Sequence, residues 1–172
     1  RKVVKFGGSS LASAQQFEKV GNIIRAEKTR RFVVPSAPGK RFSDDIKVTD
    51  MLYACYALAE EGKDFKKELA AIKARYEEII AGLNLELSLD EEFKQIEKDF
   101  KAKAGDNYAA SRGEFLNGKI MAAYLGYTFV DPAECVFFTE EGEFDSEKTN
   151  VALAEKLQKL ENAVVPGFYG SL

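Results

Sequence analysis

The start of the chain constrains the fold more than any other segment. Residues 2–6 are rich in β-branched and apolar types and run into Gly7-Gly8, which predicts a strand that ends in a tight turn. An amphipathic helix follows, and the apolar run 32–34 predicts a second strand. Strand, helix and strand in this order predict a parallel unit with a right-handed crossover. The loops after the two strands then lie at one edge of the sheet, where open α/β folds bind ligands.

Helical spacing and turn residues predict the remaining elements. Ser13 with Gln16 fits a capping box for the first helix, whose inward stripe is predicted to comprise Phe17, Val20, Ile23 and Ile24. Further helices are predicted over residues 48–61, from 64 to about 82, from 90 past 100, over 107–125 and from 145 or 146 to about 159. Further strands are predicted over 127–130, 136–138 and 163–165. Tyr53 and Tyr56 are predicted to be core residues.

Composition limits the chemistry. The chain of 172 residues suits one domain, and it contains no histidine, which excludes Ser-His-Asp and Cys-His nucleophilic sites, histidine acid–base catalysis and most zinc sites. A net charge of -3 argues against nucleic-acid binding, and no apolar run has the length of a membrane span. Cys55 and Cys135 lie among apolar residues and are expected to be reduced, which favours a cytoplasmic location.

The Gly-Gly turn is chemically the most suggestive segment. Glycines let backbone N–H groups approach an oxyanion, a following helix N-terminus favours negative charge, and Lys5 adds a cation at the strand end. The same residues are equally consistent with a plain strand-to-helix turn, since neither a Walker A loop nor a G-x-G-x-x-G motif is present. Without imidazole, phosphoryl transfer is the class of catalysis that fits best, because positioning and electrostatics supply most of it.

Five segments resemble motifs of the aspartate kinases, in that family's order. They are K-F-G-G-S-S at 5–10, V-V-P-S-A at 33–37, K-V-T-D at 47–50, S-R-G-E at 111–114 and P-G-F at 166–168. The resemblance implies the amino-acid-kinase fold, a three-layer αβα sandwich around a mainly parallel sheet. It also implies transfer of the γ-phosphoryl group of ATP to the β-carboxylate of L-aspartate, the first step toward lysine, threonine and methionine.

The resemblance assigns the phosphate-binding positions to the glycine turn. Lys5 is the expected catalytic cation on the transferring phosphoryl group, and Gly7, Gly8 and Ser9 are expected to supply backbone donors beside it. Lys5 could alternatively be a solvent-facing residue at a strand end.

The aspartate-binding positions implied by the resemblance follow the second strand and lie in two helices. Ser36 and Ala37 would form the neighbouring edge loop, Thr49 would bind aspartate, and Glu114 would hold its α-amino group. Simpler roles are available: Ser36 could satisfy a turn, Thr49 could cap a helix, and Glu114 could be an acid favoured by the helix dipole. Arg112 is interpreted as structural or peripheral.

The resemblance also predicts which parts of the full-length enzyme are not included in these 172 residues. The chain begins at Arg1 and ends just after a predicted strand, so we expect the N-terminal, amino-acid-substrate part of one kinase domain, inactive alone. ATP and Mg²⁺ are the expected cofactors, with most of their ligands elsewhere, and the full-length enzyme is expected to form a homo-oligomer with regulatory ACT domains. The alternatives are another amino-acid-kinase-family phosphotransferase, or a non-catalytic module that binds an anion at the glycine turn.

Overall fold

A computed structural model describes residues 2–135, 137–167 and 169. It contains a sheet of parallel strands in the order β1-β2-β4-β3, with β1 at Lys2–Phe6, β2 at Arg30–Pro35, β3 at Thr128–Phe129 and β4 at Ala163–Val164. The predicted parallel pairing of the first two strands is confirmed, with Lys5 opposite Val34.

Six helices surround this sheet in the described part of the chain. They are α1 at Ala14–Arg25, α2 at Val48–Glu60, α3 at Lys66–Gly82, α4 at Asp90–Lys101, α5 at Asp106–Leu125 and α6 at Ser146–Gln158. Each corresponds to a predicted helix, and side-chain caps are present at the starts of α1 and α6. Ser13, for example, caps α1 by accepting a hydrogen bond from the Gln16 N–H at 3.4 Å.

Alternation along the strands divides the core between two faces of the sheet. Val33 and Val164 are register partners and belong to the large cluster built with α1 through α5. Phe32 and Ala163, the preceding pair, belong to a smaller cluster that includes residues of α6. Since successive side chains of a strand point to opposite faces, helices cover both faces, and the predicted αβα sandwich is confirmed.

Two local predictions are wrong, and a third falls partly outside the described residues. Ile23 is 48% exposed, because the buried stripe of α1 runs through Gly21, against which the Tyr124 ring packs. Tyr53 is 42% exposed, whereas the predicted core residue Tyr56 is buried. The strand predicted over 136–138 includes residue 136, which lies outside the described residues, and Phe138 forms only an isolated antiparallel bridge with Phe144 around a local turn.

The two cysteines are buried free thiols, as predicted. Burial raises the pKa of Cys55 to about 12 and also raises the pKa of Cys135, so both are poor nucleophiles at neutral pH.

Candidate functional site

The loops after β1 and β2 meet at one edge of the sheet. The Ser36 N–H donates to the Phe6 carbonyl at 3.1 Å, and the Gly39 N–H donates to the Gly8 carbonyl at 2.8 Å. The Val48 N–H, at the start of α2, donates to the Pro38 carbonyl at 3.1 Å. These bonds join the glycine turn, the proline-containing loop and the N-terminus of α2 into one surface.

Glycine is required where these loops cross. A Cβ placed on Gly8 would lie 2.8 Å from the Ala37 carbonyl oxygen, and one on Gly39 would lie 2.7 Å from the Gly8 carbonyl carbon. A Cβ on Gly113 of α5 would lie 2.8 Å from the Ala37 Cβ. The two loops and α5 therefore approach as closely as backbone atoms allow.

A cleft of about 400 Å³ opens where these segments meet. Its lining residues are Gly8, Ser9, Ser36, Ala37, Pro38, Gly39, Lys40, Lys47, Thr49 and Glu114. Six of the eight sequence-predicted site residues thus share one cleft. The other two are Lys5, which is exposed on β1, and Gly7, which immediately precedes the lining.

Two lysines of this lining were not selected from the sequence. Lys40 and Lys47 flank a polar stretch, and both are exposed at the cleft. The sequence feature that could have identified them is their position at the two ends of the polar stretch between β2 and α2. They give one wall of the cleft a positive character suited to an anionic ligand.

The glycine turn does not lead directly into α1, although the predicted cap of α1 at Ser13 is confirmed. A short 3-10 turn at Gly8–Leu11 comes first, and α1 begins only at Ala14 behind its Ser13 cap. The Ser13 cap explains the delay, because its side chain satisfies a backbone donor of α1. Any anion bound here is therefore held by turn N–H groups and lysines and receives little from the dipole of α1.

Glu114 is the carboxylate that lines the cleft. Burial raises the pKa of Glu114 to about 7, although its own N–H and the Ala37 N–H hydrogen-bond the carboxylate and oppose this shift. An ammonium group placed beside it would favour the ionised form and lower this pKa. The lining of the cleft therefore combines one carboxylate with the ammonium groups of Lys40 and Lys47.

Side chains from α3 and α5 hold the loop that forms the cleft. Asn117 is fully buried and donates through Nδ2 to the Ser36 carbonyl at 2.7 Å. Tyr76 is also fully buried and donates to the Gly113 carbonyl at 2.8 Å, next to Glu114. Arg75 donates to the Gly39 carbonyl at 2.8 Å.

A larger cavity, of about 920 Å³, adjoins the cleft at Thr49 and Glu114, which line both. The exposed Tyr53 contributes to its wall. Arg112 also lines it, with its guanidinium 4.7 Å from the Tyr108 ring centroid and 4.2 Å from that of Phe115. These stacking contacts agree with a structural role for Arg112.

The described residues contain no group of three or more acidic, histidine or cysteine side chains placed to hold a metal ion. Among those same residues, no helix combines the length and apolar character needed to cross a membrane.

Comparison with known proteins places these features in a family. A model of the amino acid kinase family matches residues 1–171. Aspartokinase 3 of Bacillus subtilis (strain 168) is 35% identical over an alignment of 188 residues, which covers 98% of this chain and 40% of the relative. The chain thus spans about 40% of the length of this curated relative.

Two solved structures of aspartate kinases match nearly the whole of this chain. The crystal structure of Clostridium acetobutylicum aspartate kinase matches with a TM-score of 0.95 and 44% identity over 99% of this chain and 40% of that one. Aspartokinase III of E. coli, in complex with aspartate and ADP, matches with a TM-score of 0.80 and 22% identity over 98% of this chain and 41% of that one. The second likeness supports the fold alone.

Proposed function

The chain belongs to the amino acid kinase family, and from that premise we propose that it forms the N-terminal, amino-acid-binding part of an aspartate kinase. The observation that carries this proposal is the cleft that unites the glycine turn, Thr49 and Glu114. These positions come from three motifs that are distant in sequence, and their convergence is what a shared substrate would require.

The proposed reaction needs no general base. The nucleophile is the β-carboxylate of aspartate, whose ordinary pKa of about 3.9 leaves it ionised at neutral pH. The difficulty is repulsion between this carboxylate and the phosphates of ATP, which fixed positive groups and backbone N–H donors must offset. We assign that role to Lys5 and to the turn at Gly7, Gly8 and Ser9, while Glu114 orients the substrate through its α-ammonium group.

Lys40 and Lys47 supplement this assignment, because their ammonium groups flank the same cleft. These ammonium groups would offset the negative charge of an aspartate carboxylate that faces them, before the nucleotide approaches. Ser36, Ala37 and Thr49 provide short polar groups and backbone along the floor, which suits a small amino acid better than a bulky one.

The proposed nucleotide is ATP, accompanied by Mg²⁺. Glu114 is the single carboxylate among the described residues that line the cleft, and it faces a proposed ammonium group. These residues therefore fit the amino acid rather than a metal cage, and Mg²⁺, which commonly retains waters and phosphate ligands, would be bound mainly through the nucleotide.

An assay for aspartyl phosphate tests the activity. We expect the full-length enzyme to release ADP from MgATP only when L-aspartate is present, and to give a hydroxamate when hydroxylamine is added. Glutamate, carbamate and nucleoside monophosphates serve as competing acceptors. A preference for one of these acceptors would assign the chain to another branch of the family, and the absence of all turnover would favour a non-catalytic anion-binding module.

The Lys5→Ala variant tests the catalytic assignment. We expect a loss of kcat of at least a hundredfold, since removal of one preorganised charge or donor costs about 10²–10³ in rate. An unchanged kcat would contradict the role of Lys5. The 172-residue chain alone is expected to be inactive in the same assay, and clear turnover by it would refute that proposal.

The proposed enzyme would act in the cytoplasm, as a homo-oligomer, at the first step toward lysine, threonine and methionine. Cell fractionation, light scattering of the full-length enzyme and the auxotrophy of a deletion strain test these three statements separately.

A further inference from the structure

A buried arginine outside the cleft holds the loop that forms one of its walls. Arg75 lies on α3, is only 6% exposed and does not contribute to the lining. Its Nη2 donates to the Gly39 carbonyl and its Nη1 to the Ile46 carbonyl, each at 2.8 Å. These two carbonyls bracket residues 40–45, the central part of the loop between β2 and α2.

The charge of Arg75 has little direct compensation. The nearest carboxylate oxygen is Oδ2 of Asp45, at 3.7 Å from Nη1. Both oxygens of Asp45 are already engaged by Arg41, at 2.7 Å from Nε and 3.1 Å from Nη2. Burial of an incompletely paired guanidinium is costly, so a simple apolar residue would serve packing better at this position.

The two carbonyls that Arg75 binds belong to a residue of the cleft lining, Gly39, and to the residue before another, Ile46. Gly39 precedes the lining residue Lys40, and its own N–H bonds to Gly8. Ile46 is followed by Lys47, and α2 begins at the next residue, Val48. The position of Ile46 therefore affects where the start of α2 places Thr49 in the cleft.

We infer that Arg75 is a positioning residue, which clamps both ends of the loop over residues 39–46 and so fixes the two cleft lysines and Thr49 opposite Glu114. The planar guanidinium reaches the two carbonyls from two separate nitrogens, whereas the three N–H donors of an ammonium group all leave one nitrogen. The inference rests on the proposed function for its kinetic consequence, whereas the clamp itself is a property of this chain.

Limited trypsin digestion tests the clamp without reference to activity. The connection between β2 and α2, residues 36–47, contains three trypsin sites, at Lys40, Arg41 and Lys47. In Arg75→Met we expect cleavage at these sites to be at least tenfold faster than in the parent, with Arg75→Lys between the two. Lys67→Met, an exposed change on the same helix, is the matched control and should leave the rate unchanged.

Cleavage in α4 distinguishes loop release from global unfolding. We expect the exposed lysines of α4 to stay resistant in both Arg75 variants. Equal acceleration at all sites would overturn the clamp, because it would show that Arg75 only stabilises the whole domain. If Arg75→Met does not fold, Arg75→Lys alone decides between these outcomes.

Kinetics of the full-length enzyme test the consequence. We expect Arg75→Met to raise the KM for aspartate about tenfold, with the KM for ATP changed by less than twofold and partial recovery in Arg75→Lys. A released loop with an unchanged KM for aspartate would overturn the positioning role. If no variant, including the parent, phosphorylates aspartate, the proposed function fails while the digestion result still judges the clamp.

Discussion

Replacement of Glu114 by Gln separates the stability cost of the buried carboxyl from its proposed role. Burial raises its pKa to about 7, from an ordinary value of 4.5. The folded chain therefore retains a proton that the unfolded chain releases between these two pH values. Gln is nearly the same size and can still accept the hydrogen bond from the Ala37 N–H, but it has no charge to bury.

The magnitude follows from this pKa difference. The stability associated with the protonated Glu114 is fully present below pH 4.5 and is lost as the pH rises through 7. Relative to a carboxyl group with its ordinary pKa, burial of Glu114 lowers the free energy of unfolding by about 3 kcal/mol at pH 8 and by about 1 kcal/mol at pH 5. We thus expect Glu114→Gln to stabilise the chain by up to about 3 kcal/mol at pH 8, and by at most about 1 kcal/mol at pH 5.

Urea unfolding followed by circular dichroism at both pH values measures this difference. Glu86→Gln is the control, since Glu86 is exposed and should show the same small effect at pH 5 and pH 8. A gain for Glu114→Gln that does not grow with pH would refute the reasoning. In the full-length enzyme the same variant should lose affinity for aspartate, because a neutral amide cannot pair with an ammonium group.

Three further predictions concern the same cleft. In the parent enzyme the KM for aspartate should rise as the pH falls below about 7, approaching tenfold per pH unit, because Glu114 must be ionised to bind the amine; a flat profile from pH 8 to 5.5 would contradict this. Gly8→Ala should destabilise the chain by about 1–3 kcal/mol, whereas Gly7→Ala, which meets no atom within 4 Å, should leave the urea midpoint unchanged and lower only the activity. Tyr76→Phe should cost about 1 kcal/mol in the same unfolding assay through loss of the bond to Gly113, and a variant as stable as the parent would show that this bond contributes nothing.

The helices and most of the residues that line the cleft could be predicted from the sequence. Helices with a clear apolar stripe, such as α3 and α4, were predicted closely because burial of that stripe determines the helix. The edge at which the loops meet followed from the parallel arrangement of β1 and β2. The individual roles of the residues in the cleft came from resemblance to a family, which periodicity alone cannot provide.

The remaining features depend on contacts between distant segments. Nothing local marks Gly39 as the partner of Gly8, because their close approach exists only after β1 and β2 have paired. The raised pKa of Glu114 likewise results from burial in the folded chain, which outweighs the opposing hydrogen bond from the Ala37 N–H. Tyr53 was wrongly predicted to be a core residue, because an aromatic ring at near-helical spacing is compatible both with the core and with the wall of a cavity.

The shape of the cleft is determined by helices more than by the sheet. The loop that leaves β2 turns through partly buried surroundings, where its carbonyl groups need donors. Asn117 of α5 supplies one to Ser36, and Arg75 of α3 supplies the donors for Gly39 and Ile46. Because α3 takes no part in the lining, we expect a change on that helix to alter the proposed binding of aspartate without touching the ligand. On this proposal, the motifs identify the groups that would meet the substrate, whereas buried polar residues behind them, which carry no motif, set the distances between those groups.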